Sequence, residues 1–127
     1  MKGKVFMKVS DILQLDYREK ENIKIIKTAL CKIKPLAKYE DAEEVPLEKI
    51  EKVIDVLTRK YNIKIGKIDM VAIPNEVTWY QAQIIRVDNL QQLGNCYGLT
   101  IYETLAKVAI KMYSDIKTKN IPVREER

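Results

Sequence analysis

The residue types that most often carry catalysis are scarce in this chain, which has no histidine and only two cysteines among 127 residues. Cys31 and Cys96 are too far apart in sequence to form a Cys-x-x-Cys redox pair or a local metal site. Cys31 falls within a predicted helix and is expected to be a small core residue. Cys96 lies near two glycines, and without histidine only a lysine or arginine could activate it as a nucleophile. We therefore expect no catalytic residue, no metal ligand and no cofactor.

Carboxylates are the remaining groups that can do acid–base chemistry or bind a hard cation. Four of them crowd into residues 40–44, but that segment lacks the alternating ligand spacing and the glycine of a calcium-binding loop. Glu48 and Asp55 stand four residues before Lys52 and Arg59 in a predicted helix, which is the spacing of ordinary surface pairs. We interpret both groups as solvated surface. The chain also lacks the glycine spacing of phosphate-binding loops.

The net charge of +5 is unevenly distributed along the chain. Residues 1–38 contain ten basic and four acidic residues, whereas residues 39–61 contain four basic and seven acidic ones. This asymmetry indicates either a surface that faces a polyanion or two segments that partly neutralise each other in the fold.

A basic helix and an aromatic hairpin are the candidate binding surfaces. Trp79 and Tyr80 are adjacent on a predicted strand, so their rings point to opposite faces. We expect one ring to enter the core and the other to lie on an open face, where it can stack on a base or anchor a protein. The hairpin lacks the ribonucleoprotein aromatic signature. The candidate surface residues are Lys20, Lys24, Lys27, Lys34, Lys64, Lys67, Trp79, Tyr80 and Arg86.

Two helices are predicted in the first half of the chain from apolar residues at steps of three and four. The first covers about residues 16–34 and ends at Pro35, which lacks a backbone N–H. The second covers about residues 46–61 and stops at Asn62, a residue type that tolerates the left-handed conformation. Their apolar stripes suit either an intramolecular core or the seam of a homodimer.

The third predicted helix follows a loop over residues 88–98. Thr100 and Glu103 have the spacing of a capping box, in which the hydroxyl and the carboxylate each accept a hydrogen bond from a backbone N–H at the helix start. The apolar stripe after them predicts a helix that reaches about residue 117.

A β-hairpin is predicted between the second and third helices. Residues 63–72 alternate between apolar and polar types with a slip of phase at Gly66, which indicates a β-bulge. Residues 77–87 are rich in β-branched and aromatic types and predict a second, antiparallel strand. Since a lone hairpin is marginal in water, another strand is expected, either from residues 4–9 or from the region around Cys96.

We predict a single α+β domain over residues 1–127, in which about three helices pack on a small antiparallel sheet built around a hairpin over residues 63–87. Residues 1–9 are an extra strand or an extension, and residues 120–127 are a frayed tail. No apolar run reaches the roughly 20 residues of a membrane span, and no signal-peptide core follows the basic N-terminus. We expect a cytoplasmic protein that does not associate with membranes.

The order of helix, hairpin, loop and helix over about residues 47–117 resembles that of small phage-encoded proteins built as an α–β–α "ABA sandwich". The run that carries the resemblance opens the last predicted helix: Gly98-Leu99-Thr100-Ile101-Tyr102-Glu103-Thr104-Leu105-Ala106. The Ile- and Lys-rich composition is also similar to that of chains from AT-rich bacteria and their phages. The resemblance implies an accessory protein of a phage or mobile element, and it assigns no functional residue.

Two functions are therefore expected from the sequence. The first is a non-enzymatic role in which the protein binds a protein partner, for example to inhibit a host factor such as a nucleic-acid-handling defence complex. The second is direct binding of nucleic acid through the basic helix and the aromatic hairpin.

Overall fold

The computed structural model describes residues 7–66, 68–72 and 78–121 of the chain. It has an α+β architecture, as predicted, with three long α-helices, a short α-helix, a 3₁₀ helix and an antiparallel sheet. The elements in chain order are α1 (Val9–Ile12), α2 (Lys20–Cys31), the 3₁₀ helix (Lys34–Tyr39), α3 (Leu47–Tyr61), β1 (Ile63–Ile65), β2 (Asp69–Ala72), β3 (Thr78–Arg86), β4 (Gln92–Gly98) and α4 (Ile101–Lys117).

The N-terminal region departs from the predicted pattern. Val9 begins helix α1 and is not part of a strand, while residues 1–6 lie outside the described residues. Helix α2 starts four residues later than predicted because Asp16 closes a local turn: its carboxylate accepts hydrogen bonds from the backbone N–H (2.9 Å) and the guanidinium (2.7 Å) of Arg18. The helix ends at Cys31, and Pro35 lies in the first turn of the 3₁₀ helix.

The ends of the two later helices match their predictions. Helix α3 ends at Asn62, which has the left-handed conformation expected of it (φ 56°, ψ 43°). Helix α4 is capped by Thr100, whose hydroxyl accepts a hydrogen bond of 3.1 Å from the N–H of Glu103. The Glu103 carboxylate accepts one of 3.2 Å from the N–H of Leu99, one residue before the cap, so the Thr100 half of the capping box is confirmed and the Glu103 half is shifted by one residue.

Strand β3 is the centre of the sheet. Strands β1 and β2 pair one after the other along one of its edges, and β4 pairs along the other, all antiparallel. Ile65 lies opposite Ile84 while Asp69 lies opposite Gln81, so the β1–β2 side contains one residue more than β3 over this stretch. This confirms the bulge predicted at Gly66.

Strand β4 corrects the prediction of a loop over residues 88–98 and supplies the extra strand expected around Cys96. The turn is confined to residues 87–91, and pairing runs from Gln92 to Gly98. Glycine is required at position 98 because a Cβ there would lie 2.6 Å from Thr104 Oγ1 and 2.7 Å from Thr104 N. Gly98 thus brings the end of β4 against the first turn of α4.

Helix α4 is the centre of the core. Residues 103–110 are all buried, because the helix packs against β3 and β4 and also against α1, α2 and α3. The apolar stripes of α2 and α3 were predicted to form either an intramolecular core or the seam of a homodimer. Leu30 and Ile50, which belong to these stripes, are buried within this single chain. None of the helices in the described ranges has the length and apolar character needed to cross a bilayer.

The chain turns back onto the core after α4. Lys119 adopts a positive φ of 65°, and the N–H groups of Asn120 and Ile121 donate to the carbonyl of Asp115 (2.8 and 3.2 Å). Ile121 is only 2% exposed, so the prediction of a frayed tail from residue 120 is wrong at this position. Residues 122–127 lie outside the described residues.

Candidate functional site

A buried ion pair, Lys107 with Glu103, lies in the first turns of α4. Lys107 Nζ donates to Glu103 Oε2 (2.7 Å), to the carbonyl of Leu15 (3.0 Å) and to the carbonyl of Tyr97 (3.1 Å). All three protons of the ammonium therefore have acceptors. These hydrogen bonds join α4 to β4 and to the segment after α1. Because both side chains are buried and hydrogen-bonded, the pair has no polar atom available to bind a ligand.

Neither cysteine has the lowered pKa of an activated thiol. Cys96 lies on β4 and is 1% exposed, and burial raises the pKa of its thiol to about 12, so the reactive thiolate does not form near neutral pH. Cys31 is half-buried, and burial also raises its pKa. Within the described residues, no group of three or more Cys, Asp or Glu side chains is arranged to hold a metal ion.

The aromatic hairpin keeps its two rings on opposite faces of β3, as predicted. Tyr80 shares the helix-covered face with Ala82, while Trp79 lies on the other face. Both rings are half-buried, so the expectation that one of them enters the core is wrong. The helices of the described chain that contact the sheet, α3 and α4, leave the Trp79 face uncovered.

The two described basic residues of the hairpin, Lys64 and Arg86, have different surroundings. Lys64 is exposed on β1 opposite Ile85, whereas Arg86 donates to Asp88 Oδ2 at 3.1 Å and is partly neutralised by it. Lys67 lies outside the described residues.

The lysines of the basic helix lie on a different side of the molecule from the hairpin. Lys20 and Lys24 on α2 are exposed, as is Lys34 at the start of the 3₁₀ helix. Lys27 is half-buried and lines a crevice with Glu43 and Glu44, which supports the interpretation that the basic and acidic segments partly neutralise each other. Since α4 is covered by α2 and by the sheet on different sides, the structure does not bring the two predicted surfaces together.

A groove between the 3₁₀ helix and α3 forms a site that the sequence did not indicate. We call it the lysine-rimmed groove; it has a volume of about 320 Å³. Its floor is apolar and is made by Ile33, Leu36, Val53, Val56, Leu57 and Tyr113. Its rim carries Lys38 from the 3₁₀ helix and Lys49 and Lys52 from α3.

The electrostatics of the lysine-rimmed groove are one-sided. None of the described residues that line it is acidic. In the part of the chain that the structure describes, no carboxylate forms an ion pair with Lys38, Lys49 or Lys52. A further ammonium, that of Lys117, lies 5.2 Å from the ring centroid of Tyr113. The groove therefore combines an apolar floor with lysines that form no ion pair among the described residues.

The periodicity of α3 separates its charges onto two sides. Lys49, Lys52 and Val56 follow one another at steps of three and four and face the groove. Asp55 lies on the opposite flank, where its carboxylate accepts from Arg59 at 2.6 Å. The spacing of these residues on α3 was the part of the groove that the sequence could have indicated. The apolar floor could not be predicted in this way, because it is formed by residues from three separate elements.

Two other concavities are more evenly charged. A groove of about 610 Å³ between α3 and β1 is lined by both signs, including the Asp55–Arg59 pair. A cleft of about 400 Å³ between α1, β4 and α4 contains Lys111 and Asp115, which pair with each other at 2.9 Å. Both concavities therefore contain acidic and basic residues together, and each includes an ion pair.

Comparisons with protein-family models, with curated protein sequences and with solved structures return no match to this chain.

Proposed function

We propose that this protein is a non-enzymatic accessory protein that acts by binding a protein partner. The observation that carries the proposal is the lysine-rimmed groove, where apolar side chains adjoin lysines that form no ion pair within the described residues. Val56 in this groove is 46% exposed although its neighbour Val53 is buried. Exposed apolar surface with a polar rim is typical of protein interaction sites.

The biological setting is a further part of the proposal and follows from the resemblance of residues 98–106 to phage-encoded proteins. We propose that the protein belongs to a phage or mobile element and inhibits a host factor, including a defence complex, by occupying one of its surfaces.

Site-specific photo-crosslinking in cells of the native host tests this proposal. A photoreactive phenylalanine derivative replaces Val56 in the groove or, as the control, Leu90, which is 66% exposed in the turn between β3 and β4. We expect a discrete protein adduct from position 56 only, and its loss when Lys49→Glu and Lys52→Glu are added. The same adducts from both positions, or none from position 56, would contradict the proposal.

Nucleic-acid binding is the second candidate, and it is favoured by the exposed lysines of α2. Lys20 and Lys24 form no ion pair within the described ranges. A gel-shift titration at two salt concentrations tests this function, because displacement of counterions from several phosphates makes the affinity fall steeply with salt. Absence of a shift at low salt, or a shift that Lys20→Glu with Lys24→Glu leaves unchanged, would exclude this surface.

A further inference from the structure

We infer that the lysine-rimmed groove binds an acidic amphipathic helix of the partner, with its apolar side chains on the floor and its carboxylates against the rim. This inference rests on the proposed function and names the chemistry of the partner at the same site.

The distribution of charge favours a ligand with several carboxylates. The three rim lysines come from two elements, Lys38 from the 3₁₀ helix and Lys49 and Lys52 from α3, so they border the floor on both sides. A ligand with one carboxylate would neutralise only part of this rim. A peptide with acidic residues along both flanks of an apolar stripe would pair with all of it.

The shape of the floor favours a helix as the form of that peptide. Val53, Val56 and Leu57 of α3 form one side of the floor. Ile33 and Leu36, at the 3₁₀ helix, form the other side, so the floor runs between two helical segments. Such a floor accepts side chains that project from one face of a helix at positions i, i+3, i+4 and i+7.

The other flank of α3 supplies discrimination against misplaced binding. Glu51 and Asp55 lie on that flank and line the neighbouring groove between α3 and β1. Because Arg59 and Lys64 also line that groove, its acidic and basic residues are balanced and it offers an acidic segment no net attraction, whereas the lysine-rimmed groove does.

Fluorescence polarisation with two synthetic peptides tests the inference. The first is a fluorescein-labelled 14-residue peptide, a length of about four helical turns, with leucines at i, i+3, i+4 and i+7 and glutamates elsewhere. The second has the same composition in scrambled order. We expect saturable binding of the amphipathic peptide that weakens as salt rises, and weaker binding of the scrambled one.

Three variants locate the binding. Lys49→Glu with Lys52→Glu replaces two attractions by repulsions and should weaken binding by about tenfold or more. Val56→Glu should weaken it comparably, because it places a charge on the floor. Lys20→Glu with Lys24→Glu makes the same charge change on α2 and should leave binding unchanged. Far-UV circular dichroism and thermal melting confirm that each variant is folded.

Several outcomes would overturn the inference. The first is equal binding of both peptides, and the second is binding that Lys49→Glu with Lys52→Glu leaves intact. The third is binding of the fatty acid dodecanoate in the groove without binding of the peptide. If position 56 still yields its protein adduct in cells while the peptide fails, the partner is not an acidic helix and the proposed function stands. If position 56 yields no adduct, the proposed function itself fails.

Discussion

Lys107 and Glu103 form an ion pair of 2.7 Å in which the side chains are 2% and 0% exposed. Buried charges are costly unless each is paired and fully hydrogen-bonded, and here the ammonium has three acceptors and the carboxylate also accepts from Leu99. The pair therefore specifies how α4 sits against β4 and against the chain after α1.

Removal of one partner should be strongly destabilising. Lys107→Met leaves the Glu103 carboxylate in the core without its cation and should lower the free energy of unfolding by about 3–5 kcal/mol, measured by urea denaturation. Arg59→Ala is the matched control, since Arg59 has the same four-residue spacing from Asp55 but both side chains are exposed. Its cost should be about 1 kcal/mol or less. Equal costs for the two variants would contradict a special role for the buried pair.

The two glycines of β4 should respond differently to alanine. At Gly98 the added Cβ meets the backbone nitrogen and the hydroxyl of Thr104, neither of which can move without shifting α4. Gly98→Ala should cost about 1–3 kcal/mol of stability. At Gly94 the added Cβ meets only Lys111 Cε, at 3.0 Å, and that flexible side chain can move aside. We expect the melting temperature of Gly94→Ala to be close to that of the wild type and that of Gly98→Ala to be clearly lower.

The cysteines should be distinguishable by their reaction with Ellman's reagent. Cys96 is buried with its pKa raised to about 12, whereas Cys31 is only half-buried. In the native protein at pH 8 we expect Cys31 to react and Cys96 to be protected, and both to react in guanidinium chloride. The Cys31→Ala variant should show no rapid reaction when folded. Rapid labelling of that variant would mean that β4 is open to solvent.

Asp16 should give a pH dependence at acidic pH. Hydrogen bonds from Arg18 lower the pKa of Asp16 from its ordinary 3.8 to about 2, because they favour the charged carboxylate in the folded state. The stabilisation it provides is therefore present above pH 3.8 and is lost as the pH falls through about 2. Carboxyl NMR titration should report the low value and a rise toward 3.8 in Arg18→Ala. An Asp16 pKa that Arg18→Ala leaves unchanged would contradict this origin.

Local signals explain which parts of the fold could be predicted. Helix α3 ends at Asn62 and helix α4 begins at Thr100 because each residue's own conformational and hydrogen-bonding properties determine the helix end. The bulge at Gly66 was visible as a break in alternation. These features depend on residues close together in sequence, which is the range that pattern analysis covers.

Features that depend on distant residues were missed. Strand β4 was predicted only as one of two alternatives for an extra strand, because its glycines and polar residues also suit a loop, and the contact of Gly98 with α4 was not foreseen. Glu103 and Lys107 have the spacing of a surface pair, and only the elements packed around α4 bury them. The lysine-rimmed groove was missed because its floor joins Leu36, Val53 and Tyr113 from three elements.

The central position of α4 has a consequence for synthesis on the ribosome. Helices α1, α2 and α3 and strands β3 and β4 all contact helix α4, which is translated after them. Until that helix emerges, the apolar sides of α2, α3 and the sheet have no common surface to cover them. We therefore expect the nascent chain to expose these apolar sides until α4 emerges, and exposed apolar surface of this kind promotes aggregation.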